Sequence, residues 1–185
     1  MRIVAGEFKG RQLKAPTWEG LRPTSDRLRE TLFNVLGASV RGARVLDGYA
    51  GTGAIGIEAL SRGAAHVTFV ERDPRAVRLI EENLARVVSG TPAARERYAI
   101  IRAGFADAAR RTSGGFEIVV LDPPYSEEAV KDALDAAARI TGPATRLVIE
   151  HAKRYSPPEH AGLRLLRTIV SGDSALSFFG AADEG

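Results

Sequence analysis

The chain contains no cysteine, so no disulfide, thiolate nucleophile, zinc knuckle or iron–sulfur site can be built from it. Its three histidines, His66, His151 and His160, are scattered without metal-ligand spacing, which argues against a metal enzyme. No apolar run approaches the ~18 residues that a membrane-spanning helix needs. The opening MRIVAGEFKGRQLK also lacks the apolar stretch of a secretory signal. A cytoplasmic protein with neither metal nor membrane partner is expected.

What is present suits one compact core: 185 residues, 44% hydrophobic and 26% charged. The net charge of +3 is unevenly spread, because residues 1 to 41 hold eight Lys/Arg against four Asp/Glu. That polarity would turn an N-terminal face toward a polyanion such as nucleic acid. Charge alone does not decide the matter, since 22 of the 26 basic residues are arginine and basic loops are commonly just solvated.

The first residues alternate loosely around Gly6 and Gly10 and read as one or two short strands joined by a turn. A helix follows, capped by Thr24, Ser25 or Asp26, with Leu28, Leu32, Val35 and Leu36 on one face and Gly37 at its end. From residue 43 five short apolar runs alternate with helical stretches: ARVLD (43–47), HVTFVE (66–71), YAIIR (98–102), FEIVVLD (116–122) and TRLVIE (145–150). Helices are expected over Ala54 to Arg62, from Pro74 with Val77, Ile80, Leu84 and Val88 inward, and over Ser126 to Ile140. The alternation implies an α/β fold with a mainly parallel sheet, right-handed crossovers and helices on both faces. LRLLRTIVSG and ALSFFG, separated only by a short turn, read as an antiparallel hairpin that completes the sheet edge.

Ligands of such sheets bind beyond the carboxyl ends of the strands, so those ends are searched for chemistry. The first strand runs into Asp47-Gly48-Tyr49-Ala50-Gly51-Thr52-Gly53-Ala54-Ile55-Gly56, a GxGxxG turn between a strand and a helix, and Glu71 closes the second strand twenty residues after Gly51. This pair suits an adenosine-containing cofactor, with glycine N–H groups close to the ligand and a carboxylate on the ribose. An NAD-dependent oxidoreductase is one reading. Asp47 opposes it, because a carboxylate at the mouth of the loop would repel a pyrophosphate yet welcome a cation. S-adenosylmethionine carries the same adenosine with an ammonium and a sulfonium, so Asp47 can hold the ammonium while Glu71 takes the ribose hydroxyls. Asp47 can equally be a simple capping residue. Near the third strand end, Phe105 or Asp107 is a candidate for the adenine rim, and Phe105 can instead belong to the core.

The fourth strand ends in Asp122-Pro123-Pro124-Tyr125. Two prolines stop the strand and stiffen the turn, fixing where the Asp122 side chain and the Pro123 carbonyl point. Two neighbouring acceptors suit an exocyclic amine with two N–H donors, and Tyr125 offers a stacking face for its base. The arrangement fits methyl transfer to guanine or adenine, with acceleration from positioning and electrostatics. It requires the carboxyl tips of the first and fourth strands to lie side by side.

Taken together, RIVAGEFKGRQLKAP, LRPTSDRLRETLFNVL, VLDGYAGTGAIGIEALSRGA, ERD, LDPPY and GDSALSFF resemble the bacterial 16S rRNA (guanine-N2)-methyltransferases of the RsmD family over nearly the whole chain. The resemblance implies a class I S-adenosylmethionine-dependent methyltransferase (Rossmann-like) fold with a seven-stranded sheet. Residues 1–22 would form a small basic strand-and-turn extension before a methyltransferase domain of residues 23–185. It implies transfer of a methyl group from S-adenosyl-L-methionine to the N2 amine of a guanine in 16S rRNA, within a 30S subunit or an assembly intermediate, by a monomer. Asp47, Tyr49, Ala50, Gly51, Thr52, Gly53, Glu71, Arg72, Phe105 and Asp122 would line the cofactor, and Asp122 to Tyr125, with Pro123 and Pro124 between them, would hold the flipped guanine. Arg2, Lys9, Arg11, Lys14, Arg22, Thr24 and Arg27 would contact RNA. Two departures stand out: Gly48 occupies a position usually taken by a bulkier residue, and RAGFAD lacks the acid usual directly after the third strand. An enzyme acting on adenine or on another RNA remains an alternative on the residues alone.

Overall fold

The computed structural model describes residues 1–19, 25–88 and 95–182. Seven strands form one sheet: β1 (Arg44–Asp47), β2 (His66–Glu71), β3 (Tyr98–Arg102), β4 (Ile118–Leu121), β5 (Arg146–Ala152), β6 (Leu163–Ser171) and β7 (Ser174–Ala181). Their order is β3-β2-β1-β4-β5-β7-β6, parallel from β3 through β5, with β7 antiparallel to both β5 and β6. β1 and β4 are buried at nearly every position, as strands between two helical layers must be, and their sequences are accordingly apolar without alternation.

Helices α1 (Asp26–Leu36), α2 (Ala54–Ser61) and α3 (Pro74–Val87) belong with one face of the sheet, and α4 (Phe105–Arg111) and α5 (Glu127–Ala137) with the other. Ser25 caps α1, accepting from Leu28 N at 3.1 Å, and Asp73 caps α3 ahead of Pro74. Gly53 takes φ +76° where the loop turns into α2. At Gly56 a Cβ would stand 2.2 Å from the Phe69 ring, so the third glycine of the turn lets α2 lie directly on β2.

The N-terminal segment differs from the expected strands. Its backbone makes a single bridge, Arg2 to Gln12. Part of its backbone is satisfied elsewhere: Val4 N and Ala5 N donate to the buried Glu58 carboxylate at 2.8 and 3.0 Å, and Phe8 N donates to Ser61 Oγ at 2.9 Å. Within the segment Ile3 N donates to the Arg11 carbonyl at 3.0 Å, Gly10 N to the Ile3 carbonyl at 2.9 Å and Leu13 N to the Met1 carbonyl at 3.1 Å, so it folds back on itself around that bridge while the intervening residues are tied to α2. Ile3, Phe8 and Leu13 join the core on the α2 side, so the segment is packed rather than draped. α4 was also not foreseen. The seven residues FADAARR are too few to display a helical period, although Phe105, Ala108 and Ala109 are buried. Arg29, on the face expected to be apolar, is fully buried and donates through Nη2 to the Arg2 carbonyl at 2.8 Å and to Asp26 at 2.6 Å.

Candidate active site

β1 and β4 are hydrogen-bonded neighbours, with Asp47 opposite Val120, and Gly48 N donates to the Val120 carbonyl at 2.9 Å. The glycine turn after β1 and the Asp122–Tyr125 turn after β4 therefore leave the sheet side by side. They form opposing parts of one cleft of about 480 Å³, the size of a site for a cofactor-sized ligand. Tyr49, Ala50, Gly51, Thr52, Ala54 and Ile55 line it from the first turn, Glu71, Arg72 and Asp73 from the end of β2, and Asp122, Pro123, Pro124 and Tyr125 from the end of β4.

Glu71 organises the first turn. Its Oε2 accepts from Gly51 N at 2.9 Å and its Oε1 from Asp73 N at 2.8 Å. Each oxygen has a second lone pair, so the carboxylate can still receive two ligand hydroxyls. Asn83 of α3 supports the turn from below, donating to the Thr52 carbonyl at 3.0 Å.

Asp47, expected at the methionine end, stands behind the turn and not on the cleft wall. It is 2% exposed, does not line the cleft, and its Oδ2 accepts from Gly56 N at 3.0 Å. Burial pushes its carboxyl from 3.8 up to about 7, against the lowering effect of the Gly56 N–H and with some help from the nearby Glu71 charge. It stands behind the glycine turn, one layer from the ligand space.

Phe105 is likewise buried, with its ring 5.6 Å from that of Tyr49, and Gly53 lies at the base of the turn; neither lines the cleft. Asp107 is exposed and paired with Arg110 on α4. Phe105 also explains the glycine at position 48: a Cβ there would come within 2.3 Å of Leu121 Cδ2 and 2.9 Å of Phe105 Cδ2.

The basic residues expected on RNA are dispersed. Helices that cross between parallel strands run opposite to them, so the C-terminal ends of α2 and α3 lie at the end of the sheet away from the cleft. Arg11 is at that end, donating to the carbonyl of Val87 and stacking on Phe8 at 5.2 Å, and Lys9 belongs to the same turn, where Phe8 is tied to Ser61. Lys14 pairs with Glu82 at 2.6 Å, halfway along α3. Arg2 and Arg27 are exposed, and Arg27 sits between Ser25 and Leu28, which both line the cleft. Arg22 and Thr24 lie outside the described residues.

Several lining residues were not singled out from sequence. Trp18 reaches the rim with its ring 5.2 Å from the Arg75 guanidinium, which pairs in turn with Asp73 at 2.7 Å. Glu150 and Ser174 line the cleft beside Tyr125. The tyrosine hydroxyl donates to Glu150 Oε1 and lies 2.7 Å from Ser174 Oγ, which is itself 3.0 Å from the same carboxylate oxygen. The GDS of the terminal motif was the only available signal for Ser174.

Two properties of the cleft bear on its ligand. Carboxylates from Glu71, Asp122 and Glu150 face it, with Asp47 close behind, which suits a cationic ligand better than a pyrophosphate. It also has an acceptor-rich end at Glu71 and a separate proline-stiffened end with an aromatic face. These features fit S-adenosylmethionine beside a nucleobase. Among the described residues no helix is long and apolar enough to cross a membrane.

Comparison with known proteins agrees with this geometry. "Ribosomal RNA small subunit methyltransferase D" of Haemophilus influenzae is 38% identical over 136 residues, 72% of this chain and 68% of that one. The solved structure of Escherichia coli yhhF superposes with a TM-score of 0.81 at 31% identity, covering 98% of this chain and 97% of its own. An RNA methyltransferase from Salinibacter ruber, solved with S-adenosyl-L-homocysteine, shares the fold at a TM-score of 0.67 and 16% identity, over 89% of this chain and 95% of its own. The fold is that of the S-adenosylmethionine-dependent methyltransferases. With residues 1–180 matched by the family described as "Conserved hypothetical protein 95", the chain belongs to that family, the RsmD family.

Proposed function

We propose that the protein is a 16S rRNA methyltransferase that transfers a methyl group from S-adenosyl-L-methionine to the exocyclic N2 amine of a guanine. The observation that carries the reading is the adjacency of β1 and β4, which gives the glycine turn and the Asp122–Tyr125 turn a common cleft. When bound, S-adenosylmethionine supplies an electrophilic methyl group on a cationic sulfur. The residues of the chain supply position, charge and a proton acceptor.

Glu71 receives the ribose hydroxyls on the lone pairs left by Gly51 N and Asp73 N. Asp47 acts through the turn: its ionised form would favour the ammonium of a bound ligand. At the other end, Asp122 and the Pro123 carbonyl accept the two N–H groups of the target amine, turning its lone pair toward the methyl carbon. The base must leave its stack to reach them, and Tyr125 offers it a replacement face. As the nitrogen gains the methyl group it loses a proton, which Asp122 accepts directly or passes to water.

For RNA, Arg27 at the cleft mouth, with Arg22 and Thr24 nearby in sequence, forms the phosphate grip closest to the chemistry. Arg2 extends it, whereas Arg11 and Lys14 serve chiefly to hold the basic N-terminal segment on α3, with Lys9 in the same far turn. The substrate is 16S rRNA in a 30S subunit or assembly intermediate, and the enzyme works in the cytoplasm as a monomer. Incubating the protein with labelled S-adenosylmethionine and either 16S rRNA or 30S subunits, followed by nuclease digestion and mass spectrometry, tests the reading. N2-methylguanosine is expected; label on adenine, or no transfer to either substrate, overturns it.

A further inference from the structure

We infer that Glu150 and Ser174 are positioning residues, which fix the ring of Tyr125 as the platform for the flipped base; this rests on the reading of Asp122–Tyr125 as the base-binding turn. Tyr125 ends an irregular proline turn and is 38% exposed, so little packing holds its ring in place. A freely turning ring would be a poor stacking partner, because each encounter with the base would first have to order it. The far end of this ring is nevertheless held, through its hydroxyl, by groups on two other strands.

The holding groups are built in by the sheet. Leu121 pairs with Ile149, so Asp122 and Glu150 leave the register as neighbours at the carboxyl ends of β4 and β5. Ala152 pairs with Ser174 across the β5–β7 ladder, which brings the serine hydroxyl within 3.0 Å of Glu150 Oε1. Glu150 is only 5% exposed, and a buried carboxylate is a firm, directional anchor because its alternatives in water have been removed. Burial and the glutamate together push the pKa of the phenol up, so Tyr125 keeps its proton and remains a donor near neutral pH. The tether sets the direction of the ring axis. A phenol O–H prefers the plane of its ring, so the direction of the carboxylate sets the tilt as well.

A purely architectural role would give these bonds a share in stability and nothing more. The test therefore compares kcat, KM for rRNA and cofactor affinity in Tyr125→Phe, Glu150→Ala, Ser174→Ala and the double variant Tyr125→Phe/Glu150→Ala, each checked by thermal melting. Tyr125→Phe and Glu150→Ala are each expected to lower kcat for rRNA methylation by about 10-fold or more, on the scale of a small misplacement of reacting groups. Affinity for S-adenosyl-L-homocysteine should stay within about twofold of wild type, since the ribose and methionine ends are untouched. The double variant should be no slower than the slower single one, because both break the same tether. If Glu150→Ala does not fold, Ser174→Ala combined with Tyr125→Phe gives the same comparison. Losses that multiply in the double variant, or a drop in cofactor affinity with kcat unchanged, overturn the positioning role while leaving the methyltransferase reading intact. A wild-type protein that methylates no guanine amine overturns both.

Discussion

Gly51 gives its backbone N–H to Glu71 Oε2 at 2.9 Å, so the carboxylate that would bind the ribose also fixes the turn that would face the methionine. Coupling of this kind makes Glu71→Gln more damaging than the loss of one charge. The amide can keep an acceptor toward only one of Gly51 N and Asp73 N, and it turns an N–H toward the other donor. A hydrogen bond to a charged group is worth about 1.5–3 kcal/mol, so affinity for S-adenosylmethionine should fall by roughly 10-fold or more in Glu71→Gln. Titration calorimetry measures it. Equal affinities in the variant and wild type would remove Glu71 from the cofactor site.

The buried Asp47 makes stability depend on pH, and under the proposed function cofactor binding as well. Its carboxyl is raised from 3.8 to about 7, so the folded protein holds that proton more tightly than the unfolded chain does. The stabilisation this provides is complete below pH 4 and is lost as pH climbs through 7. The two values put its full size at about 4 kcal/mol. Asp47→Asn keeps an oxygen for Gly56 N and has no charge to bury. Urea unfolding at pH 5 and pH 8 should show the variant gaining on wild type at the higher pH. Cofactor binding should behave in the opposite sense, because a bound ammonium favours ionised Asp47. Wild-type affinity should rise between pH 5.5 and 8 with proton release, detectable by calorimetry in buffers of different ionisation enthalpy, and the asparagine variant should show neither effect.

Much of this molecule was legible because its parallel strands are near-continuous apolar runs whose ends carry glycines, prolines and acids. What escaped sequence reading depended on distant partners. Tyr125 was expected as a stacking face, but Glu150 and Ser174 lie 25 and 49 residues further along and meet it only because β5 and β7 follow β4 in the sheet. The basic N-terminal segment was expected as one or two short strands joined by a turn, and nothing in its sequence shows that Glu58 and Ser61 take some of its N–H groups. Asp47 was correctly located at the strand tip. Its burial behind the turn follows from the Gly56 N–H that it accepts, a feature of the folded loop and not of the motif's spelling.

Asp122→Ala separates binding from chemistry. The side chain lines the cleft beside Pro123 and Pro124, and its loss removes the acceptor that the proposed reaction assigns to the target amine. Removing such a contact costs about 100- to 1000-fold in rate, so methylation should fall by that order while cofactor affinity changes little. Single-turnover assays with saturating S-adenosylmethionine isolate the step. Undiminished transfer would show that the Pro123 carbonyl and Tyr125 suffice.

The far position of Lys9 and Arg11 separates two roles for positive charge. If the grip on rRNA is at the cleft mouth, Arg27→Ala should weaken binding and reduce the slope of log affinity against log salt by about one unit, the loss of one phosphate contact. Lys9→Ala should leave the slope as in wild type. Arg11→Ala should also leave it unchanged yet lower stability by about 1 kcal/mol, since its guanidinium stacks on Phe8 and bonds the last carbonyl of α3. Filter binding of 16S rRNA across 50 to about 300 mM salt, set beside urea unfolding of the same variants, distinguishes the roles. A reduced slope for Lys9→Ala with none for Arg27→Ala would mean that the RNA wraps around the amino ends of the strands, and the contact surface would have to be redrawn on that side.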